Sequence, residues 1–238
     1  MIPKKIHYCW FGGTSLPKSV IQCIESWKKF CPDYEIIRWD ESNFDITCSK
    51  FVEKAYEEKA WAFVSDYARL KVIYDSGGIY LDTDVELLKS LDELLNNQFY
   101  IGVQQVETLC TTGLGFGAAR LNDVVKEMLS EYDNLTFDNK RKESFACPYL
   151  NSRVLTKRGY IFSEKVQYII GATVYPPMYF DPMAPGDGTK NLLCKETVSI
   201  HHYSASWMDK KIQLRRKIIR MIGQDKVSKL KMVFKNEK

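Results

Sequence analysis

The sequence lacks the features that mark several specialised classes of protein. It contains no run of about 18 to 20 apolar residues that could span a bilayer, and its first residues, MIPKKIHYCWFGG, lack the apolar core and cleavage site of a signal peptide. Its seven cysteines are odd in number, scattered and without a C-x-x-C pair, which argues against a disulfide framework and a structural zinc site. We therefore expect a cytosolic protein whose cysteines are reduced and mostly packed.

The chain also carries little net charge over most of its length. With 238 residues, 45% of them hydrophobic, it is long enough for one α/β domain and too short for two full domains. The net charge is +4, but residues 209–238 hold eight Lys and three Arg against three acidic residues and carry +8, which leaves −4 for residues 1–208. Such a basic segment can meet anionic lipid, nucleic acid or an acidic partner, and composition alone does not choose among them.

Strand and helix patterns alternate in the first third of the chain. KKIHYCWFGG and YEIIRWD have the pattern of strands, and the segment between them, LPKSVIQCIESWKKFCPDY, has the pattern of a helix ended by Pro32. KAWAFVSDYARLKVIYDSGG predicts a long buried helix that leads into a strand, IYLDTDVELL. This order predicts an α/β fold with a central, mostly parallel sheet flanked by helices, in which ligands collect at the carboxyl ends of the strands.

Weaker patterns follow in the rest of the chain. FYIGVQQV, GLGFGAAR and ETVSIHHYSASW are typical of strands, VQYIIGATVYPP of a strand or extended run, and the helix NDVVKEMLSEYDNL begins with a capping Asn122. After residue 208, apolar residues lie near helical spacing among basic ones, which predicts a basic amphipathic helical tail. We therefore divide the chain into a domain of residues 1–208 and a tail of residues 209–238.

Two carboxylates, Asp82 and Asp84, follow the apolar run GGIYL. On an extended strand, side chains at positions i and i+2 point the same way, and two converging carboxylates repel each other unless a cation or a proton lies between them. A glycosidase pair or a solvated surface pair are the alternatives, but the preceding strand and buried helix favour a metal site. Oxygen ligands favour Mg²⁺ or Mn²⁺, ions that are usually shared with substrate phosphates.

Asp66 and Arg69 lie three residues apart on the predicted buried helix, so they share a face and would be costly to bury without partners. One interpretation is a structural ion pair between the two residues. The other is that both point into a ligand site, Asp66 toward hydroxyls and Arg69 toward phosphate or hydroxyl. The residues alone leave both interpretations open.

Four stretches, IPKKIHYCWFGG, SWKKFCPDYEIIRWDE, WAFVSDYARLKVIYDSGGIYLDTDVELLKSLDELL and HHYSASW, together resemble the DXD-type glycosyltransferases of family 32. That family includes capsular-polysaccharide transferases, yeast α-mannosyltransferases and glucosylating bacterial toxins. The resemblance implies a GT-A fold, a divalent cation (Mn²⁺ or Mg²⁺) and, in most characterised members, retention of anomeric configuration. The implied reaction moves a hexose from a nucleotide sugar, by family habit a UDP-sugar, to a glycan or lipid-linked acceptor in surface polysaccharide synthesis.

The resemblance also implies residue roles. Asp84 would ligate the metal directly, and Asp82 would contact the donor ribose or sugar and a metal-bound water. Asp66 and Arg69 would hold the transferred sugar and the diphosphate. Trp10 would pack on the nucleobase, although a core aromatic residue is the alternative for it. Tyr80 would border the donor or, equally, lie in the core.

The segment HHYSASW would complete this site. In the family a residue near the end of the domain commonly completes the metal shell, so His201 or His202 is the candidate ligand. Because side chains alternate along a strand, only one of them faces the site, and the spacing to Trp207 favours His202. Ser206 and Trp207 would contact the diphosphate.

Two other functions have to be weighed. GLGFGA, residues 113–118, formally fits the dinucleotide-binding pattern G-x-G-x-x-[GA] of nicotinamide oxidoreductases, but the next predicted helix begins only near residue 122. A non-enzymatic protein acting through its basic tail is the second, and attachment to the inner face of an anionic membrane is the tail's functional interpretation. We expect no nucleic-acid binding. Specificity for the acceptor depends on segments 106–113, 136–150 and 176–191, whose sequences alone do not indicate which acceptor is bound.

Overall fold

A seven-stranded sheet forms the centre of the part of the chain that the structure, a computed structural model, describes: residues 1–186 and 188–204. The strands in these residues are β1 Lys5–Cys9, β2 Glu35–Trp39, β3 Gly78–Tyr80, β4 Val85–Leu87, β5 Phe99–Val103, β6 Cys110–Ala118, β7 Gln167–Ile169, β8 Ala172–Tyr175 and β9 Ser199–His201. The α-helices are α1 Lys18–Phe30, α2 Lys50–Glu57, α3 Trp61–Ser76, α4 Asp123–Ser130, α5 Cys147–Lys157 and α6 Pro177–Phe180, and 3₁₀ helices span Asp92–Asn96 and Asn139–Phe145. The predicted tail, residues 209–238, lies outside the described residues, as do Ser206 and Trp207.

The sheet has the order β2-β1-β3-β6-β5-β8-β7. Within the described residues, five of its seven strands run in one direction, and β6 and β7 run in the opposite direction. One hydrophobic cluster packs α1 on one face, and a second packs α2, α3, α4 and α5 on the other. The predicted α/β fold with a mostly parallel sheet flanked by helices is therefore confirmed.

Helix α3 is as deeply buried as its apolar sequence predicts. Its buried positions include Val64, Leu70 and Ile73, and the charged residues Asp66 and Arg69 are buried with them. The helix ends where Gly77 adopts a φ of 65°, a conformation that glycine reaches without steric cost. The chain then turns directly into β3, so the start of α3 and the end of β3 lie at the same end of the sheet.

The predicted strand IYLDTDVELL is two strands in two different sheets. β3 pairs with β1 and ends at Tyr80, and β4 pairs instead with β9 in a separate antiparallel ribbon. Between them the backbone N–H of Val85 donates to the carbonyl of Asp82 at 3.0 Å, so a turn carries both carboxylates. The i, i+2 alternation was therefore the wrong reason for their convergence, because a turn and not a strand brings Asp82 and Asp84 together.

The run VQYIIGATVYPP is a hairpin, since β7 and β8 pair antiparallel around Gly171, whose φ is 74°. GLGFGA lies inside β6, which is buried along its whole length and pairs with β3 and β5. A dinucleotide-binding glycine motif needs a turn that opens a helix, and helix α4 begins only at Asp123. The glycines of GLGFGA therefore do not form the dinucleotide-binding turn on which the oxidoreductase alternative depends.

His7 gives the fold a predicted dependence on pH. Its ring is fully buried, Nε2 donates to the carbonyl of Gly77 at 3.0 Å, and Nδ1 accepts from the indole N–H of Trp39 at 3.0 Å. Burial lowers the pKa of His7 from 6.5 to about 4, so between these values the unfolded chain binds a proton that the folded chain does not. We expect this residue to remove up to about 3 kcal/mol of stability as pH falls through that window.

The measurement is urea denaturation from pH 7 to pH 4 of the wild type and of His7→Gln. The difference in unfolding free energy between the two proteins should shrink as pH falls, because the variant lacks the ionisable ring. A difference that stays constant across this range would refute the assignment.

Candidate active site

A cleft of about 600 Å³ opens at the carboxyl ends of β1 and β3. It collects most of the residues singled out in the sequence, and these come from the end of β1, from α3, from the turn after β3 and from β9. The predicted site residues that line it are Trp10, Asp66, Arg69, Tyr80, Asp82, Asp84 and His201. His202 is not among the lining residues.

Three side chains in the cleft form a group that could hold a metal ion. Ligand atoms of Asp82, Asp84 and His201 all lie within 4.8 Å of one another. His201 Nε2 is 3.0 Å from Asp84 Oδ1, and the backbone N–H of Ser204 donates to the other carboxylate oxygen at 2.6 Å. Two carboxylates and an imidazole are ligands that bind divalent cations, so the chemistry of these three residues fits a metal site.

The structure corrects the choice between the two histidines. In the ribbon of β4 and β9, His201 pairs with Val85 and faces Asp84, and His202 points the other way with Nε2 2.8 Å from Glu86 Oε2. The two side chains do point opposite ways, as strand alternation predicts, but His201 and not the favoured His202 faces Asp84. Spacing to Trp207 could not decide it, because the register of β9 against β4 determines which side chain faces the site.

Arg69 connects the helix to the carboxylate turn. Its Nη2 lies 3.1 Å from Asp66 Oδ1 and 3.0 Å from Asp82 Oδ1, and its Nε donates to the carbonyl of Ser65 at 3.1 Å. The guanidinium also lies over the ring of Tyr80, 4.8 Å from its centroid. Both interpretations of the Asp66 and Arg69 pair are therefore represented, since the residues form an ion pair and both also line the cleft.

Tyr80 supports this arrangement from the core. Its side chain is almost completely buried, and its hydroxyl donates to Asp82 Oδ1 at 3.0 Å. Gly113 of β6 leaves the space that the pair of Arg69 and Asp82 needs, since a Cβ at this position would lie 2.7 Å from Asp82 Oδ2. The glycine inside the apparent dinucleotide motif thus permits close packing beneath the site.

A second set of residues supports Arg69 from β6 and α5. Thr112 Oγ1 accepts from Arg69 Nη1 at 3.5 Å and from Asn151 Nδ2 at 3.2 Å, and it donates to Cys147 Sγ at 3.7 Å. All four side chains are buried. No sequence pattern distinguishes Thr112, Cys147 or Asn151, because their roles depend on contacts between segments far apart in the chain.

Removing the Thr112 hydroxyl should destabilise the fold. A Thr112→Val variant keeps the side-chain shape but leaves the amide of Asn151 buried without its acceptor, which we expect to cost about 1–3 kcal/mol. The measurement is urea denaturation beside Thr112→Ser, which keeps the hydroxyl and should lie closer to the wild type. Equal stability of the valine variant and the wild type would refute the network.

The carboxyl groups of the cleft differ in their affinity for protons. Burial raises the pKa of Asp66 to about 6, although Arg69 acts in the opposite direction, and burial also raises the pKa of Asp82 against the same guanidinium. Burial favours the neutral form of Asp84 as well, but His201 and the N–H of Ser204 outweigh it and hold the pKa of Asp84 below its usual range. Asp84 is therefore the most readily ionised of the three.

Aromatic residues form the wall of the cleft beside β1. Trp10 lines it with its indole N–H donating to the carbonyl of Thr14 at 2.8 Å, and Trp61 and Phe63 from the start of α3 line it as well. Sequence reasoning singled out Trp10 but missed Trp61. The contact between Trp61 and the backbone at Gly12, where a Cβ would lie 2.8 Å from the indole, brings the two segments together.

Comparison with known proteins shows what part of this chain is similar to. Residues 17–100 match the family described as "Glycosyltransferase sugar-binding region containing DXD motif". "Inositol phosphoceramide mannosyltransferase 3" of Schizosaccharomyces pombe is 30% identical over 119 residues, which cover 48% of this chain and 33% of that protein. "Subversion of eukaryotic traffic protein A" of Legionella pneumophila is 30% identical over 111 residues, 35% of this chain and 17% of that protein. The chain thus spans well under half the length of either relative.

A solved structure agrees on the fold. "PaToxG Glycosyltransferase" superposes with a TM-score of 0.51 at 19% identity, covering 66% of this chain and 68% of that chain. The resemblance stated from the sequence is confirmed: residues 17–100 are similar to the DXD-type glycosyltransferases, and the described residues have a GT-A fold. The matched region contains Asp66, Arg69, Asp82 and Asp84, whereas Trp10 and His201 lie outside it.

Proposed function

We propose that this protein is a metal-dependent glycosyltransferase that moves a hexose from a nucleotide-diphosphate sugar to a glycan or lipid-linked acceptor. The observation that carries the proposal is the convergence of Asp82, Asp84 and His201 within 4.8 Å in a cleft that also contains a buried arginine. Sugar transfer from a nucleotide diphosphate releases a highly charged leaving group, and a cation site beside an open cleft suits that chemistry. Synthesis of a surface polysaccharide such as capsule is the role we favour.

Asp82, Asp84 and His201 are the residues that would hold the cation, Mn²⁺ or Mg²⁺. Such an ion, when bound, supplies positive charge that stabilises the departing diphosphate. Asp84 is suited to direct ligation because its carboxylate is the most readily ionised of the cleft, and a metal ligand has to be deprotonated. Ser204 fixes the orientation of that carboxylate through its backbone N–H.

Arg69 acts mainly by orienting the carboxylates. Its Nε donates to the carbonyl of Ser65 and its Nη1 donates to Thr112, while its Nη2 forms ion pairs with both Asp66 and Asp82. We therefore assign Asp66 to the hydroxyls of the donor, and Asp82 both to these hydroxyls and to the cation, with Arg69 holding both carboxylates in place. This differs from the role in diphosphate binding that the resemblance implied.

The proposed reaction breaks the bond between the anomeric carbon of the donor sugar and the β-phosphate oxygen. The acceptor hydroxyl oxygen forms the new bond to that carbon, and its proton passes to the released diphosphate. For retention of configuration, attack comes from the leaving-group face. No residue of the described cleft is assigned as a covalent nucleophile in this scheme.

We assign the nucleobase to the aromatic wall. Trp10 and Trp61 line the same side of the cleft and offer flat apolar surfaces on which a base can stack. UDP is the favoured nucleotide. Ser206 and Trp207 stay predicted diphosphate contacts.

The test is calorimetry of the purified protein with UDP and with GDP, each in the presence of Mn²⁺ and of EDTA. Binding of one nucleotide that requires Mn²⁺ supports the proposal and identifies the base. Absence of binding to both nucleotides would contradict it and would favour the non-enzymatic alternative, in which the protein acts through its tail.

We also propose that residues 209–238 attach the protein to the inner, anionic face of the cell membrane. The support is their charge of +8 together with apolar residues at helical spacing. In the described residues no helix is long and apolar enough to cross a membrane. Deletion of residues 209–238 should abolish binding to phosphatidylserine-containing liposomes and leave nucleotide binding intact, and liposome binding that persists after deletion would contradict this attachment.

A further inference from the structure

The turn between β5 and β6 lies at the rim of the cleft in a conformation that few side chains adopt. Its residues Glu107 and Thr108 have φ values of 60° and 52°, and the backbone N–H of Gln104 donates to the carbonyl of Leu109 at 2.9 Å across the hairpin. Two consecutive left-handed residues without glycine are retained only where neighbouring contacts hold them. The hydroxyl of Tyr160 provides one such contact by donating to the carbonyl of Thr108 at 2.7 Å.

The β5–β6 turn is hydrogen-bonded to the first helical turn of α5. The hydroxyl of Tyr149 donates to Glu107 Oε2 at 3.0 Å, and the residues just before Tyr149, from Ala146 to Pro148, line the cleft. Gln104, at the other end of the turn, lines the cleft as well. Tyr149 is nevertheless 46% exposed, so its ring is held in position while a large part of it faces solvent.

The same β5–β6 turn is also hydrogen-bonded to the segment 181–190. The side-chain amide of Gln105 donates to the carbonyls of Asp181 at 2.8 Å and Lys190 at 3.0 Å, and it accepts from the N–H of Lys190 at 2.9 Å. The carboxylate of Asp181 in turn accepts from the N–H of Gln105 at 2.8 Å. Parts of segments 106–113, 136–150 and 176–191, whose sequences alone do not indicate the acceptor, therefore meet at one edge of the cleft.

The order of the strands places this rim relative to the other parts of the site. β1, β3, β6 and β5 are successive neighbours in the sheet, and the ends that reach the cleft carry Trp10, the carboxylate turn, Thr111 and Gln104 in that order. Three strand spacings separate β1 from β5, about 14 Å. If the base lies at Trp10 and the diphosphate at Asp84, the next position along this line is the sugar, and the rim at β5 lies beyond it.

We propose that Tyr149, Glu107 and Gln104 form a binding subsite for a hexose of the acceptor, an inference that rests on the proposed glycosyltransferase function. A pyranose has an apolar C–H face that can pack on the exposed ring of Tyr149, whose orientation is already fixed by Glu107. The hydroxyl of Tyr149 lies within hydrogen-bond distance of both carboxylate oxygens of Glu107, at 3.2 and 3.0 Å, and each oxygen keeps a further acceptor position for sugar hydroxyls. The amide of Gln104 can both donate and accept. The acceptor hydroxyl then enters the cleft on the side opposite to the nucleobase.

The experiment measures binding of methyl α- and β-glucosides, galactosides and mannosides by saturation-transfer NMR, with UDP and Mg²⁺ present. At least one of these glycosides should bind the wild type, and Tyr149→Ala and Glu107→Gln should each weaken that binding about tenfold or more. Tyr149→Phe keeps the ring but not its anchor, so it should fall between Tyr149→Ala and the wild type. Tyr168→Ala removes an 83% exposed tyrosine on edge strand β7 and is the matched control, with unchanged binding.

Hydrolysis of the nucleotide sugar by water, measured on the same proteins, separates this inference from the proposed function. The three rim variants should hydrolyse the donor as fast as the wild type, because they do not touch the metal cluster. Absence of glycoside binding to the wild type, or binding that Tyr149→Ala and Glu107→Gln leave unchanged, overturns the subsite. Absence of donor hydrolysis and of nucleotide binding in the wild type overturns the proposed function instead.

Discussion

An Asp84→Asn variant is expected to lose metal-dependent nucleotide binding and to turn over nucleotide sugar about 10³-fold more slowly than the wild type. The amide keeps the shape of the side chain but removes the charge that a divalent cation requires. Asp84 is also the group that His201 and the N–H of Ser204 hold in its ionised form. The measurements are calorimetry with the nucleotide and Mn²⁺, and the rate of donor hydrolysis.

The chain provides a matched control for this substitution two residues further on. Glu86 pairs with His202 at 2.8 Å much as Asp84 pairs with His201 at 3.0 Å, but the pair of Glu86 and His202 is half-exposed and does not line the cleft. Glu86→Gln should therefore leave nucleotide binding and turnover within about twofold of the wild type. If both variants lost activity equally, or if Asp84→Asn stayed active, the metal assignment to Asp84 would be wrong.

Local sequence predicted the scaffold of the site well because the scaffold is built from neighbouring residues. The apolar sequence of α3, its end at Gly77 and the return into β3 are encoded within residues 61 to 80, and these elements deliver Asp66, Arg69 and the carboxylate turn to one place. The convergence of Asp82 and Asp84 was predicted for the wrong reason. Strand alternation and a tight turn both bring residues i and i+2 together, and the sequence pattern did not distinguish them.

The parts that sequence could not supply depend on pairing between distant segments. Which histidine faces Asp84 follows from the register between β4 and β9, segments more than a hundred residues apart. The contact between Tyr149 and Glu107 depends on how α5 docks against the β5–β6 turn. Each of these is set by tertiary packing, and no local period or capping signal carries that information.

Replacement of Arg69 by methionine should destabilise the folded state by about 3–5 kcal/mol, because it leaves Asp66 and Asp82 in a buried site without their cation. Methionine fills a similar volume, so the loss reports mainly on charge rather than on a cavity. The side chain of Arg69 is 5% exposed and those of Asp66 and Asp82 are 12% and 25% exposed, so solvent screens these pairs poorly. The measurement is urea denaturation, with Arg69→Lys as an intermediate variant that keeps the charge but not the planar fork.

Arg153 is the matched control, since its distance to Glu131 is 2.8 Å, shorter than either contact of Arg69, while its side chain is 56% exposed. Arg153→Met should cost less than about 1 kcal/mol, because an exposed ion pair contributes little however short it is. A double variant of Arg69→Met with Asp66→Asn should regain part of the lost stability, since it removes one of the two uncompensated carboxylates. Equal losses of unfolding free energy in Arg69→Met and Arg153→Met would mean that burial does not determine how much these contacts stabilise the fold. The proposal that Arg69 serves mainly to hold Asp66 and Asp82 in place would then lose its support, and the diphosphate role that the resemblance implied would be favoured instead.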